Sequence, residues 1–271
     1  MALIRVNGVE LAYEIEGSGS PLVLVHGSWS DRHGWDRVAA GFARDFTVVR
    51  CDRRGHSESE RVPGSTRDDV LDLASLMEAL NVAPAHMVCS SFGGVIGFHL
   101  AASSPELLRS LVSHEPPATS LVPADHEVRR LVDEAAKGEE GVSAQIESGD
   151  HEGAARRFVE EVAFGPGTWN RLPDPLRAMF VRNAATFAEE VQDPEARWVD
   201  LEALRTFERP VLLTQGSDSP EWYGAVIARL ADVLPKASRH LYRGAGHMPQ
   251  GTHPDEFVEL VSGFLRRADD G

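Results

Sequence analysis

The run "PLVLVHG" at 21–27 is apolar almost without interruption and closes on a glycine. A strand with one wet face alternates apolar and polar residues, so an unbroken run belongs to a strand covered on both faces. The pattern returns, more loosely in places, in "FTVVRCDRRG" (46–55), "HMVCS" (86–90), "LLRSLVSHE" (107–115), "RPVLLTQGS" (209–217) and "SRHLYRGAG" (238–246). Helical patterns fall between these runs, at 36–44, 66–81, 92–103, 222–233 and 255–267. The helix from 66 carries Asp68 and Asp69 in its first turn, where the helix dipole favours acids. Strands alternating with helices predict an α/β fold, a mostly parallel sheet with helices on both faces. Ahead of it, "LIRVNGVELAYEIEG" alternates around Asn7-Gly8 and reads as a hairpin.

Residues 118–206 break the alternation. They hold amphipathic pieces such as "HEVRRLVDEAAK" and "AARRFVEEVAF" and no buried strand, and so predict a helical cap inserted over the carboxyl edge of the sheet. The expected organisation is a core domain of 1–117 and 207–271 with a cap of 118–206. A net charge of -15 argues against a nucleic-acid or anionic-membrane partner, both of which demand a basic footprint. The N-terminal stretch lacks a signal-peptide pattern, and the two cysteines, Cys51 and Cys89, make no disulfide framework, so a reduced, cytoplasmic protein is expected. No phosphate-cradling loop, dinucleotide fingerprint or paired metal-ligand histidines occur, and no cofactor or metal is expected. A homodimer is left open.

In such a sheet, chemistry collects at the carboxyl ends of the strands. At one of them stands "MVCSSFGG" (87–94), with two adjacent serines. A nucleophile elbow needs small residues two positions before and after the serine, because the turn pushes neighbouring backbone together. Around Ser91 these are Cys89 and Gly93; around Ser90 they are Val88 and Phe92, both too bulky. Ser91 is therefore the candidate nucleophile, against the alternative that it merely caps the following helix. A serine hydroxyl needs a base at neutral pH. His247, in the glycine-rich "GAGHMPQGTHP", follows the last strand and is the candidate; His253, ahead of a proline, reads as structural. The oxyanion donors expected are the main-chain N–H groups of Phe92 and Ser28, and the Ser28 side chain is given no role.

Together, "LVHGSWSDRHGW", "VVRCDRRGHSES", "VCSSFGGVIG", "VLLTQGSDSP" and "GAGHMPQGTHP" resemble the α/β-hydrolase fold superfamily, in the right order across the whole core. The resemblance implies a cofactor-independent serine hydrolase with a Ser–acid–His triad. It leaves two places for the acid. The commoner Gly-x-x-Asp pattern puts it on Ser219, with Asp218 one residue early; the other location falls on Glu115, in "LVSHEPP". Glu115 is preferred, since the "CSS" and "HEPP" motifs are locally similar to the zearalenone-type lactonases, whose acid is the matching glutamate. Trp169 and Trp29 are the expected substrate contacts. The implied substrate is a small apolar carboxylic ester or lactone. A C–C bond hydrolase, perhydrolase or acyltransferase of the same fold, or a non-enzymatic ligand receptor, remain alternatives.

Overall fold

The N-terminal hairpin forms where Asn7-Gly8 predicts it, with β1 (Ala2–Val6) pairing antiparallel to β2 (Val9–Gly17). Both turn residues have positive φ, 45° and 79°, as a two-residue turn matched to strand twist requires. In the computed structural model, which describes residues 1–270, six more strands complete one sheet. They are β3 (Ser20–Val25), β4 (Phe46–Cys51), β5 (Ala85–Ser90), β6 (Leu108–His114), β7 (Val211–Gly216) and β8 (Ala237–Tyr242). The order is β1-β2-β4-β3-β5-β6-β7-β8, parallel throughout from β4 onward.

The unbroken apolar runs are explained by burial on both faces. On β3, Val23 and Val25 pack with Met87 and Cys89 against Leu73, Met77 and Phe98. Leu22 and Leu24 point the other way, with Val88, against Trp35, Phe42 and Phe257. The covering helices that precede the insertion are α1 (Asp36–Phe42), α2 (Thr66–Ala79) and α3 (Phe92–Ser103). Ser65 and Asp68 close a reciprocal capping box at the start of α2.

Between β6 and β7 the chain is helical: α4 (Arg129–Glu147), α5 (His151–Arg157), α6 (Asp174–Arg182), α7 (Ala184–Gln192) and the short α8 (Leu201–Leu204). The middle of this insertion has its own apolar cluster, including Val142, Ile146, Val159, Phe180 and Phe187. Its two ends, among them Leu121, Val132, Val199 and Leu204, share the main core. Then come α9 (Trp222–Ala231), the single-turn α10 (Pro249–Thr252) and α11 (Pro254–Asp270). Where a run closes on glycine (21–27, 46–55 and 238–246), the strand ends two to four residues earlier, because the chain is already turning: Gly55 and Gly244 have φ of 75° and 72°. Among the described residues no helix is long and apolar enough to cross a membrane.

Candidate active site

β3 lies between β4 and β5, so the loops leaving β3 and β5 diverge at the point where strand order reverses, the usual place for a ligand crevice. Ser91 stands there between β5 and α3, with φ 54° and ψ -126°. Its side chain makes no capping hydrogen bond to α3, which disposes of the cap reading. Small neighbours are required as the elbow pattern demands. A Cβ on Gly93 would sit 2.5 Å from the Val25 carbonyl oxygen, and one on Gly27 would sit 2.7 Å from the Ser91 Cβ. Cys89 is wholly buried, and burial raises its thiol far above the ordinary range, so it is inert packing.

His247 lies in the loop after β8, and its Nδ1 is 2.5 Å from Oε2 of Glu115. Glu115 follows β6, has φ 45°, and is 0% exposed. Its other oxygen accepts the Gly216 N–H at 2.8 Å. Burial alone would raise the Glu115 carboxyl; the imidazoles of His114 and His247 outweigh it and hold the group at about 2. His114 is itself pushed down to about 4, chiefly by burial. The buried Ser219 hydroxyl also helps hold Glu115 down. Asp218 is elsewhere: its carboxylate is exposed and accepts the Ser217 hydroxyl at 2.8 Å. The geometry thus brings Glu115, not Asp218, to His247. The His247 Nε2 is left for Ser91, with which His247 shares a cavity wall. No hydrogen bond joins the two in this arrangement; such contacts commonly tighten only around substrate.

Neither the Phe92 nor the Ser28 N–H donates to any group among the described residues, so both remain open for an oxyanion. Behind them lies a buried ion cluster in which Arg53 sits between Asp69 and Glu190. Burial, outweighing the pull of Arg53, raises Asp69 to about 7, with Glu190 and Asp72 adding to the rise. A carboxyl raised in the fold binds its proton more tightly there than in the unfolded chain. Its stabilising effect is therefore full below the ordinary carboxylate range and lost as pH rises through about 7. The melting temperature is expected to fall between pH 5 and pH 8, and the Asp69→Asn protein to show a flatter profile over that interval.

Two cavities meet beside Ser91 and His247, sharing these two residues with Ser28 and Phe158. One is walled by Trp35, Phe164, Met179, Phe180 and Met248. The other is lined by the Glu139–Arg197 ion pair (2.9 Å) and the rings of Trp222 and Tyr223. Tyr223 stacks on the His247 ring, 5.1 Å between centroids and 21° between planes.

Neither of the expected aromatic contacts, Trp169 and Trp29, lines these two cavities. Trp169 is buried in the apolar cluster of the inserted helices and borders a separate groove with Arg177 and Arg182. Trp29 is 0% exposed and lies one layer behind the wall, stacked on Phe158 at 4.8 Å. Phe158 and Phe164 line the cavity instead. They bracket a π-helical turn (Phe158–Ala163), a feature common at functional sites that helical periodicity does not reveal. Phe158→Ala is expected to raise KM by roughly 10-fold. Trp169→Ala should leave KM unchanged while costing about 3 kcal/mol of stability. Michaelis parameters and thermal melts of the two variants check this contrast.

An open parallel sheet with a serine elbow, a loop-borne histidine and a helical insertion defines an α/β hydrolase. The chain belongs to the alpha/beta hydrolase family, whose profile matches residues 22–260. It is similar to the 2-hydroxymuconate semialdehyde hydrolase of Pseudomonas sp. strain CF600, 27% identical over 98% of this chain and 94% of that protein. The uncharacterized hydrolase YraK of Bacillus subtilis strain 168 is 36% identical over 119 residues, a segment spanning 43% of its length. Among solved structures, the enol-lactonase from Burkholderia xenovorans LB400 superposes with a TM-score of 0.80 at 22% identity, covering 98% of this chain and all of that one.

Proposed function

We propose that the chain is a cofactor-independent serine hydrolase cleaving a carboxylic ester or lactone through an acyl-enzyme. The observation that carries this reading is the strained, uncapped Ser91 opening into the same cavity as a His247 that is oriented by buried Glu115. In the first half-reaction Ser91 Oγ bonds to the substrate carbonyl carbon as its proton passes to His247 Nε2. The carbonyl oxygen gains the negative charge and turns toward the Phe92 and Ser28 N–H groups. The tetrahedral intermediate collapses, the C–O bond to the alcohol breaks, and His247 returns the proton to the leaving oxygen. Water repeats the sequence on the acyl-enzyme and releases the acid. Glu115 holds the imidazole in the tautomer that leaves Nε2 available and stabilises its cation. For a lactone, acid and alcohol leave as one hydroxy acid.

The two cavities give the substrate two differently furnished sides, one apolar and one ending in Arg197, Glu139 and Tyr223. The enol-lactonase likeness supports lactones at the level of fold only. A second reading, C–C bond hydrolysis, is favoured by the full-length relative that acts on 2-hydroxymuconate semialdehyde. The test is a panel of open-chain aryl and aliphatic esters, aryl and aliphatic lactones, and 2-hydroxymuconate semialdehyde itself. Turnover of esters or lactones is the expected result. Turnover of the semialdehyde alone would replace the proposal with the second reading, and a folded protein that turns over nothing would overturn both.

A further inference from the structure

The Ser28 N–H belongs to the same planar trans peptide as the Gly27 carbonyl, so the two point in opposite directions. Whatever grips the carbonyl therefore aims the N–H. The Gly27 oxygen is 2.8 Å from His26 Nδ1 and 3.5 Å from Arg53 Nη2. The Arg53 N–H donates to His26 Nε2 at 3.0 Å, which leaves the ring proton on Nδ1, where it donates to Gly27. The Arg53 guanidinium is in turn held by Asp69 at 2.7 Å and Glu190 at 2.6 Å, and lies 4.9 Å over the ring of Phe92, the other oxyanion donor. The second oxygen of Glu190 accepts the hydroxyl of Ser28 itself.

Glu190 is on α7 of the insertion, whereas Ser28, Arg53 and Asp69 belong to the core. It is not alone. Asn183, between α6 and α7, donates to the Ser30 carbonyl at 3.0 Å, and Trp29 is stacked among Phe158, Phe180 and Phe187 of the insertion. Trp29 itself has φ 64°, a conformation that a bulky residue keeps only when its surroundings impose it. The cluster is almost dry, with Arg53 and Glu190 side chains 5% and 6% exposed. Burying two carboxylates around one guanidinium is a poor way to gain stability, since an apolar replacement commonly does as well. Its geometry suits orientation.

We infer that Glu190 is a positioning residue for the oxyanion hole: from the inserted helices it clamps Ser28 through its hydroxyl and, through Arg53, the Gly27 carbonyl. The inserted helices thus complete the catalytic loop as well as covering the substrate, and a displacement of α7 withdraws one oxyanion donor from its place. This inference rests on the serine-hydrolase reading. Loss of the clamp leaves the N–H present but loosely aimed, and misplacement by about 1 Å costs on the order of 10²-fold in rate.

The test compares Glu190→Ala, Glu190→Gln, Ser28→Ala and the Ser28→Ala/Glu190→Ala double variant in the full chain. The readouts are kcat and KM on the best ester or lactone, and the rate at which a fluorophosphonate modifies Ser91. Glu190→Ala is expected to lower kcat about 10- to 100-fold with KM nearly unchanged. Glu190→Gln, which can still accept from Arg53 and donate to the Ser28 hydroxyl, should recover most of that loss. The double variant should be no slower than the worse single one, because both break the same clamp. A change confined to KM or to melting temperature, or losses that multiply in the double variant, would overturn the inference. If the wild type turns over no ester or lactone, the phosphonylation ratios still decide it, so failure of the substrate reading and failure of the clamp are separable.

Discussion

Ser91→Ala is expected to lower turnover by about 10⁴- to 10⁶-fold, since removing the nucleophile of a triad leaves only what binding and the oxyanion hole contribute. Its melting temperature should hardly move, because alanine keeps the Cβ and with it the strained turn. Ser91→Gly should be equally inactive but more stable than either. The pair φ 54°, ψ -126° matches the first central position of a type II′ turn, where glycine predominates. Holding an L-residue in such a region costs on the order of 1–3 kcal/mol. Glycine's greater freedom in the unfolded chain offsets roughly 0.5–1 kcal/mol of the relief. A net gain of about 1 kcal/mol remains, which in a domain of this size raises Tm by about 2–4 °C. Thermal melts and ester assays of the three proteins check both halves. Retained activity in Ser91→Ala would remove the serine mechanism, and a glycine variant no more stable than the alanine one would remove the strain argument.

The parts of the fold that could be read from sequence are those whose environment is uniform along a segment. β3 and β5 are apolar on both faces because both faces are covered, and the runs say so directly. The elbow is legible for a similar reason: Gly27 and Gly93 approach Ser91 and the end of β3 so closely that only glycine fits. The side of the site formed by the inserted helices follows no such rule. Amphipathic spacing announces that one face of α7 is buried, not that Glu190 lies on Ser28, 162 residues away. Trp169 and Phe158 carry the same apolar signal, yet Phe158, at the start of the π-helical turn, lines the cavity beside Ser91, and Trp169 borders a separate groove. The acid is intermediate. β6 and β7 are neighbours in register, His114 opposite Thr214, so the ends of both strands lie beside the same histidine and either location was open to sequence reasoning. The side-chain directions separate them: Glu115 points inward onto the Gly216 N–H, and Asp218 turns out to solvent.

That separation makes the second large effect specific. Glu115→Gln is expected to lower kcat by about 10⁴-fold. Glutamine keeps an acceptor for the Gly216 N–H and the same shape, but it carries no charge to stabilise the imidazolium, and its amide can hold the His247 ring in the wrong tautomer. KM should change little, because Glu115 lies beneath His247 and lines neither cavity. Asp218→Asn should stay close to wild type in both parameters, since it only loosens an exposed turn with Ser217. The pH dependence has the same origin. With the Glu115 carboxyl held at about 2, its stabilising charge is present above the ordinary carboxylate range and lost only as pH falls through about 2. Between pH 5 and pH 8 the wild-type rate should therefore be insensitive to the ionisation of Glu115. Steady-state kinetics of both variants across that interval measure the difference directly. A large loss in Asp218→Asn beside a near-normal Glu115→Gln would move the acid to the end of β7, and the buried carboxylate after β6 would then be a structural support of the histidine loop.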